Sequence, residues 1–217
     1  MTLLFITRLK IVMSVLALFT ATVSILTPAI CERMAYSWRD DNPVPIEELR
    51  YVTVSHWGID GQVYTGELIV HRVVVQDIID IFNELFEAGY PVEKMRLVDV
   101  YQAVDEDSAA DNNSYSFCSR AITGKPGTFS KHSYGLAIDL NPLFNPYHKG
   151  DIIIPRSGAR YLDRTLINPA TLSPTSPCYQ AFIKRGWVWG GDWCARGYHD
   201  YHHFEKPLSA IQSIDNP

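Results

Sequence analysis

The stretch Ser130–Pro142, SKHSYGLAIDLNP, sets His132 and Asp139 seven residues apart with small residues and a glycine between them. A histidine and a carboxylate at that distance can be two ligands of one divalent metal. A zinc site with an open coordination position typically takes three protein ligands from His and Asp or Glu, plus water. The third donor has to come from elsewhere in the chain. Near the C-terminus, YHDYHHFEKP offers His199, His202 and His203 beside Asp200 and Glu205, a dense cluster in a chain with seven histidines. Spacing alone does not choose among these three histidines. Hydrolysis also needs a base for the proton of the attacking water. Asp200 and Glu205 are the candidates, since a carboxylate close to a metal ligand but not bound can reach the water without displacing it. The rival chemistry is a serine nucleophile at Ser130-Lys131. Adjacent strand residues point to opposite faces, however, and the chain lacks the Ser-x-x-Lys with Lys-Thr-Gly combination of serine penicillin-binding enzymes.

These residues need elements to position them. Read as a strand, GLAIDL turns Leu136, Ile138 and Leu140 to a core and Ala137 and Asp139 to the opposite side. Gly135 then supplies the bend that lets His132 meet Asp139. Upstream, LRYVTVSHWGIDGQVYTGELIVH alternates around Asp60-Gly61 and predicts a hairpin. VVVQDIIDIFNELFEAGYP places Val75, Ile78, Ile79, Phe82, Leu85 and Phe86 on one helical face and stops at Gly89 and Pro91. KMRLVDVYQ reads as a strand, AVDEDSAADNNSYSFCSR as an exposed loop, and CYQAFIKRG as a short helix after a long turn-rich connection. The fold class expected is α+β, a small antiparallel sheet with flanking helices and long loops.

At 217 residues, the chain is long enough for one sizeable core. Hydrophobic residues make up 47% and charged residues 20%, ordinary for a globular protein. The net charge of −5 supplies no basic field for nucleic acid. Residues 1–31 stand apart: Arg8 and Lys10 precede an apolar run from Ile11 to about Leu26, with small residues at Thr27 and Ala29. That pattern reads as a secretory signal peptide, or as a membrane anchor if uncleaved. Residues 32–48 read as a linker and 49–217 as the functional domain, exported to the periplasm or the medium. Export permits disulfides, and a bridge between Cys178 and Cys194 is one possibility.

The motifs are specific enough to resemble a family. Ser130, His132, Gly135, Ala137 and Asp139 match the signature Ser-x-His-x-x-Gly-x-Ala-x-Asp, and Asp200, His203, Phe204 and Glu205 match Asp-x-x-His followed by an aromatic residue and often Glu. With GWVWGGDW between them, the chain resembles, from about residue 49 to 207, the bacterial zinc peptidases that include D-alanyl-D-alanine carboxypeptidases and L-alanyl-D-glutamate endopeptidases. The resemblance implies that His132, Asp139 and His203 bind one zinc ion and that Asp200 is the general base. It places Arg120, in FCSRAITG, where a guanidinium holds a substrate carboxylate or the developing oxyanion. Ser130 is a candidate to hydrogen-bond the substrate. Trp187, Trp189 and Trp193 are candidates for core or for a cleft wall. His199 is expected on the surface, and His202 fills a slot that varies in the family. The implied substrates are peptidoglycan stem peptides, cut as a D-Ala-D-Ala carboxypeptidase first and an L-Ala-D-Glu endopeptidase second. A non-catalytic zinc-bearing module is the alternative of another class. Regular strand geometry would put Asp200 and His203 on opposite sides, so the chain must turn between them.

Overall fold

The computed structural model describes residues 17–122, 125–166 and 168–211. Strand β1 (Ala21–Ser24) and helix α1 (Pro28–Arg33) precede the hairpin of β2 (Leu49–Trp57) and β3 (Val63–His71). β2 and β3 pair antiparallel along their whole length, from Leu49 opposite His71 to Trp57 opposite Val63, and Gly61 takes φ +74° in the turn between them. Helix α2 (Val75–Glu87) packs on this sheet through Ile78, Ile81, Phe82, Leu85 and Phe86. Val75 and Ile79, expected on the buried face, are only half-buried, because the stripe that meets the sheet runs through Ile78 and Ile81. The helix stops at Gly89, in the left-handed region at φ +64°.

The next segment departs from expectation. Of KMRLVDVYQ only β4 (Lys94–Met95) is a strand; it pairs in parallel with β5 (Asn113–Ser114), and the short helix α3 (Asp105–Ala110) lies between them. The stretch expected as an exposed loop is largely interior: every residue from Asn112 to Ser119 is buried. Its polar side chains replace water with the protein's own groups. Ser116 Oγ donates to Ile69 O at 2.6 Å and accepts from Ile69 N at 3.0 Å. Asn113 Nδ2 donates to Arg96 O and Ser108 Oγ, each at 3.1 Å.

Beyond the exposed pair β6 (Ala121–Ile122) and β7 (Lys125–Phe129), the elements are short: β8 (Ala137–Asp139), β9 (Tyr147–Lys149), β10 (Ile152–Ile154), α4 (Pro177–Ile183), β11 (Val188–Trp189), β12 (His199–Asp200) and β13 (His203–Glu205). They build two three-stranded antiparallel sheets, in the orders β11-β13-β8 and β10-β9-β12. Phe204, at the centre of β13, is fully buried and stacks on Phe182 of α4 at 4.1 Å. Small antiparallel sheets with several helices agree with the α+β expectation.

Residues 1–16 of the expected signal or anchor lie outside the described residues. The remainder of that segment is packed. β1 pairs antiparallel with β2, from Ala21 opposite Val54 to Ser24 opposite Tyr51, and Thr20 Oγ1 lies 2.7 Å from Ser55 Oγ. Phe19 meets Phe86, ring centroids 5.8 Å apart. Residues 32–48, expected as a linker, bury Met34, Ser37 and Val44. Their few apolar residues fill a small cluster with Leu49, Ile69, Leu97 and Phe117. No described helix is long and apolar enough to cross a membrane. All four cysteines are free, which removes the Cys178–Cys194 pairing: Cys178 is in the core and Cys194 is exposed.

Candidate metal centre

The centre starts from a tight turn. Lys131–Tyr134 is a 3₁₀ helix whose N-cap, Ser130, accepts a hydrogen bond from His132 N at 3.3 Å. Ser133 ties the turn to the buried stretch, accepting from Arg120 N at 2.9 Å. Gly135 ends it at φ +65°, with its position beside β3 so close that a Cβ would lie 2.5 Å from His71 N. Only glycine fits there, and the reversal it permits sends the chain directly into β8. Leu136, Ile138 and Leu140 are fully buried, and Asp139 faces the turn that carries His132.

β8 lies between two partners. Tyr115 bridges one edge, with Asp139 N donating to Tyr115 O at 2.9 Å and Tyr115 N to Asp139 O at 3.1 Å. β13 pairs on the other edge and sets His203 directly opposite Asp139. One residue of slip would turn His203 away and bring Phe204 to the site, but Phe204 is locked in the core.

Three buried side chains converge as a result. His132 Nε2 lies 3.2 Å from Asp139 Oδ2 and 3.3 Å from His203 Nδ1, and His203 Nδ1 lies 2.9 Å from Asp139 Oδ1. One ligand atom from each falls within 4.8 Å of the others, the spacing of a shared cation. The outer nitrogens are occupied: His132 Nδ1 donates to Ser116 O at 2.6 Å, and His203 Nε2 lies 3.2 Å from Glu205 Oε2. Two nitrogens and a carboxylate directed at one point suit zinc. Among the described residues this is the one such cluster of His, Cys, Asp and Glu.

The electrostatics agree with a site made for positive charge. Burial alone would push the Asp139 carboxyl up, but His132, His202 and His203 outweigh it and hold it well below the usual range. Burial disfavours the His203 cation, yet its hydrogen bonds to Asp139 and Glu205 push it up to about 10. His202, against the same burial, is pushed up to about 9 by Asp200 and Asp139. The Glu205 carboxyl, which burial would raise, is held below its usual value chiefly by the hydrogen bond from His203.

Asp200 reaches the site because β12 ends at it and Tyr201-His202 turn the chain into β13, in a different sheet. The turn expected between Asp200 and His203 is therefore present. Asp200 Oδ1 is buried and paired with His202 Nε2 at 3.0 Å, and that nitrogen lies 3.8 Å from Asp139 Oδ2. A carboxylate has about four acceptor positions, so with His202 on one of them Asp200 keeps lone pairs for a base beside the candidate ligands. Glu205, the other candidate, is engaged with His203 instead.

The remaining candidates fall around this group. Arg120 Nη2 donates to the Tyr115 hydroxyl at 3.3 Å, its Nε is 3.3 Å from Asp105 Oδ2, and the Tyr115 ring stacks on His132 at 5.0 Å. The guanidinium is thus one ring away from His132. Ser130 is buried as the cap of the His132 turn. Trp187 and Trp189 belong to the core, while Trp193 packs against His203 with ring centroids 5.5 Å apart. His199 is half-buried, its Nδ1 donating to Gly191 O at 2.8 Å and its ring stacked on Tyr201. Sequence reasoning missed Tyr115 and Ser116, which lie in the stretch read as a loop; His202, one of the three candidate histidines, is expected only to fill a variable slot, whereas it pairs with Asp200.

No curated protein and no solved structure was found to match the chain. The resemblance expected from residue 49 to 207 is borne out over a shorter span that leaves Arg120 outside. Residues 123–206, which contain His132, Asp139, Asp200 and His203, match the family model described as D-alanyl-D-alanine carboxypeptidase, a metal-dependent peptidase family.

Proposed function

We propose that the chain is an exported zinc peptidase with the fold of zinc DD-peptidases, acting on peptidoglycan stem peptides, foremost as a D-Ala-D-Ala carboxypeptidase. The observation that carries this reading is the convergence of His132, Asp139 and His203 beside the buried Asp200 carboxylate, inside the span matched by the carboxypeptidase family. Zinc, held by those three ligands, supplies Lewis acidity toward the scissile carbonyl and a more acidic water. Asp200 Oδ1 takes the proton of the attacking water and returns it to the leaving amine. His202, in contact with Asp200 and donating from Nδ1 to Asn145 O at 2.8 Å, keeps that carboxylate in place. Arg120 lies on the His132 side, with guanidinium nitrogens suited to a substrate carboxylate or an oxyanion. Export rests on Arg8, Lys10 and the apolar run that follows.

Metal content and turnover of synthetic stem peptides, with product masses, test the reading. Loss of one terminal alanine supports the carboxypeptidase; internal cleavage assigns the endopeptidase instead. Stoichiometric zinc with equal, near-zero turnover in the wild type and Asp200→Ala would leave only a binding module.

A further inference from the structure

His203 has two nitrogens with different partners. Nδ1 faces Asp139 at 2.9 Å and His132 at 3.3 Å, and Nε2 faces Glu205 Oε2 at 3.2 Å. A carboxylate only accepts hydrogen bonds, so the contact with Glu205 keeps a proton on Nε2. That leaves the Nδ1 lone pair for a cation. The arrangement follows from the strand. His203 and Glu205 are two residues apart on β13 and share a face, opposite Asp139 and Ala137 on β8. Ala137 offers only a methyl group at the position facing Glu205, which leaves room for the longer carboxylate to fold back along its own strand to the imidazole. Tyr115 stacks on the other imidazole, and Ser116 O holds His132 Nδ1 in the same manner. Both histidines therefore have their outer nitrogen fixed by an acceptor, one from the backbone and one from Glu205.

We propose that Glu205 is a positioning residue of the metal centre, fixing the tautomer and ring orientation of His203 so that Nδ1 meets the ion, without itself touching metal or substrate. This rests on the reading of His132, Asp139 and His203 as metal ligands. An acceptor of this kind behind a ligating histidine is commonly worth about 10–100-fold in metal affinity.

The test is zinc affinity of the full chain, measured by competition with a chromogenic chelator, for wild type, Glu205→Ala and Glu205→Gln, with thermal melting of each protein after chelator treatment. Expected is zinc binding at least about 10-fold weaker in Glu205→Ala, partial recovery in Glu205→Gln, whose amide oxygen still accepts from Nε2, and similar melting in all three. Zinc bound as tightly by Glu205→Ala as by wild type would overturn the proposal while leaving the metal site standing. Absence of zinc binding by the wild type would overturn the metal reading beneath it. If Glu205→Ala does not fold, the near-isosteric Glu205→Gln decides. Equal weakening in both variants, with lowered melting in both, would assign Glu205 to packing and overturn the proposal.

Discussion

Gly135 permits a sharp test, because it combines a backbone requirement with a steric one. At φ +65° any other residue costs about 1–2 kcal/mol in the left-handed region. An added Cβ would also lie 2.5 Å from His71 N and 3.0 Å from both Val70 C and Leu49 Cδ2. Two of those atoms are backbone, and the hydrogen bond from His71 N to Gly135 O at 2.9 Å fixes their distance. Overpacking of this sort costs about 1–3 kcal/mol. Gly135→Ala should therefore lose about 2–5 kcal/mol, out of a total of about 5–15 for a typical domain. The melting temperature should fall by about 4–20 °C. Gly89 is the matched control: its φ is +64°, and nothing lies within 4 Å of its would-be Cβ. Gly89→Ala should lose only the backbone part, about 1–2 kcal/mol. Denaturant and thermal unfolding of the two variants compare them directly. Gly135→Ala should also weaken zinc binding, since relief of the clash moves the His132 turn away from β3 and so shifts His132 relative to Asp139. Equal stability losses in the two variants, with zinc affinity unchanged in Gly135→Ala, would refute the claim that close packing against β3 aims His132.

Three further outcomes are expected. Asp200→Asn should retain stoichiometric zinc and lower turnover of stem peptides by about 10²–10⁴-fold, read from steady-state rates beside metal analysis; an unchanged rate would remove Asp200 as the base. Phe204→Ala should destabilise by about 3–5 kcal/mol in denaturant melts, because it removes the ring stacked on Phe182 and frees the register of β13. Glu67, which burial alone would raise, is held below its usual pKa by hydrogen bonds from Arg33 and Tyr51. Its contribution is present above the unfolded value near 4.5 and is lost as pH falls through the lower folded value. Hydrogen-exchange protection of α1, taken relative to the intrinsic rate at each pH, should accordingly be kept at neutral pH and fall in acid, and Arg33→Ala should lower it at neutral pH.

The proposed metal ligands were legible because histidine is scarce in the chain and the motifs are specific. His132 and Asp139 came from spacing and strand alternation; His203 required the resemblance, since three histidines crowd one short segment. What the types could not convey was the surroundings. The run from Asn112 to Ser119 is polar, and polarity ordinarily marks solvent; here most of its hydroxyls and amides are spent on backbone or side-chain partners far along the chain, which only long-range pairing can reveal. Tyr115 and Ser116, which brace Asp139 and His132, were hidden for that reason. The hairpin and α2 were legible because their patterns are long, whereas two-residue strands such as β12 leave no period to read. At the N-terminus, the apolar run that defines a leader also makes a good edge strand, and composition does not separate the two.

That last point has a practical side. β1 covers the outer edge of β2 from Tyr51 to Val54, and Thr20 extends the cover to Ser55. A chain trimmed after residue 31, the natural cut if everything up to it were a leader, would lose β1 and most of α1. The backbone donors and acceptors of β2 would then stand open along the strand, a template on which a second copy can add itself. Soluble, monomeric protein is thus expected from chains that retain residues from about Phe19 onward, and self-association from chains that begin after Cys31.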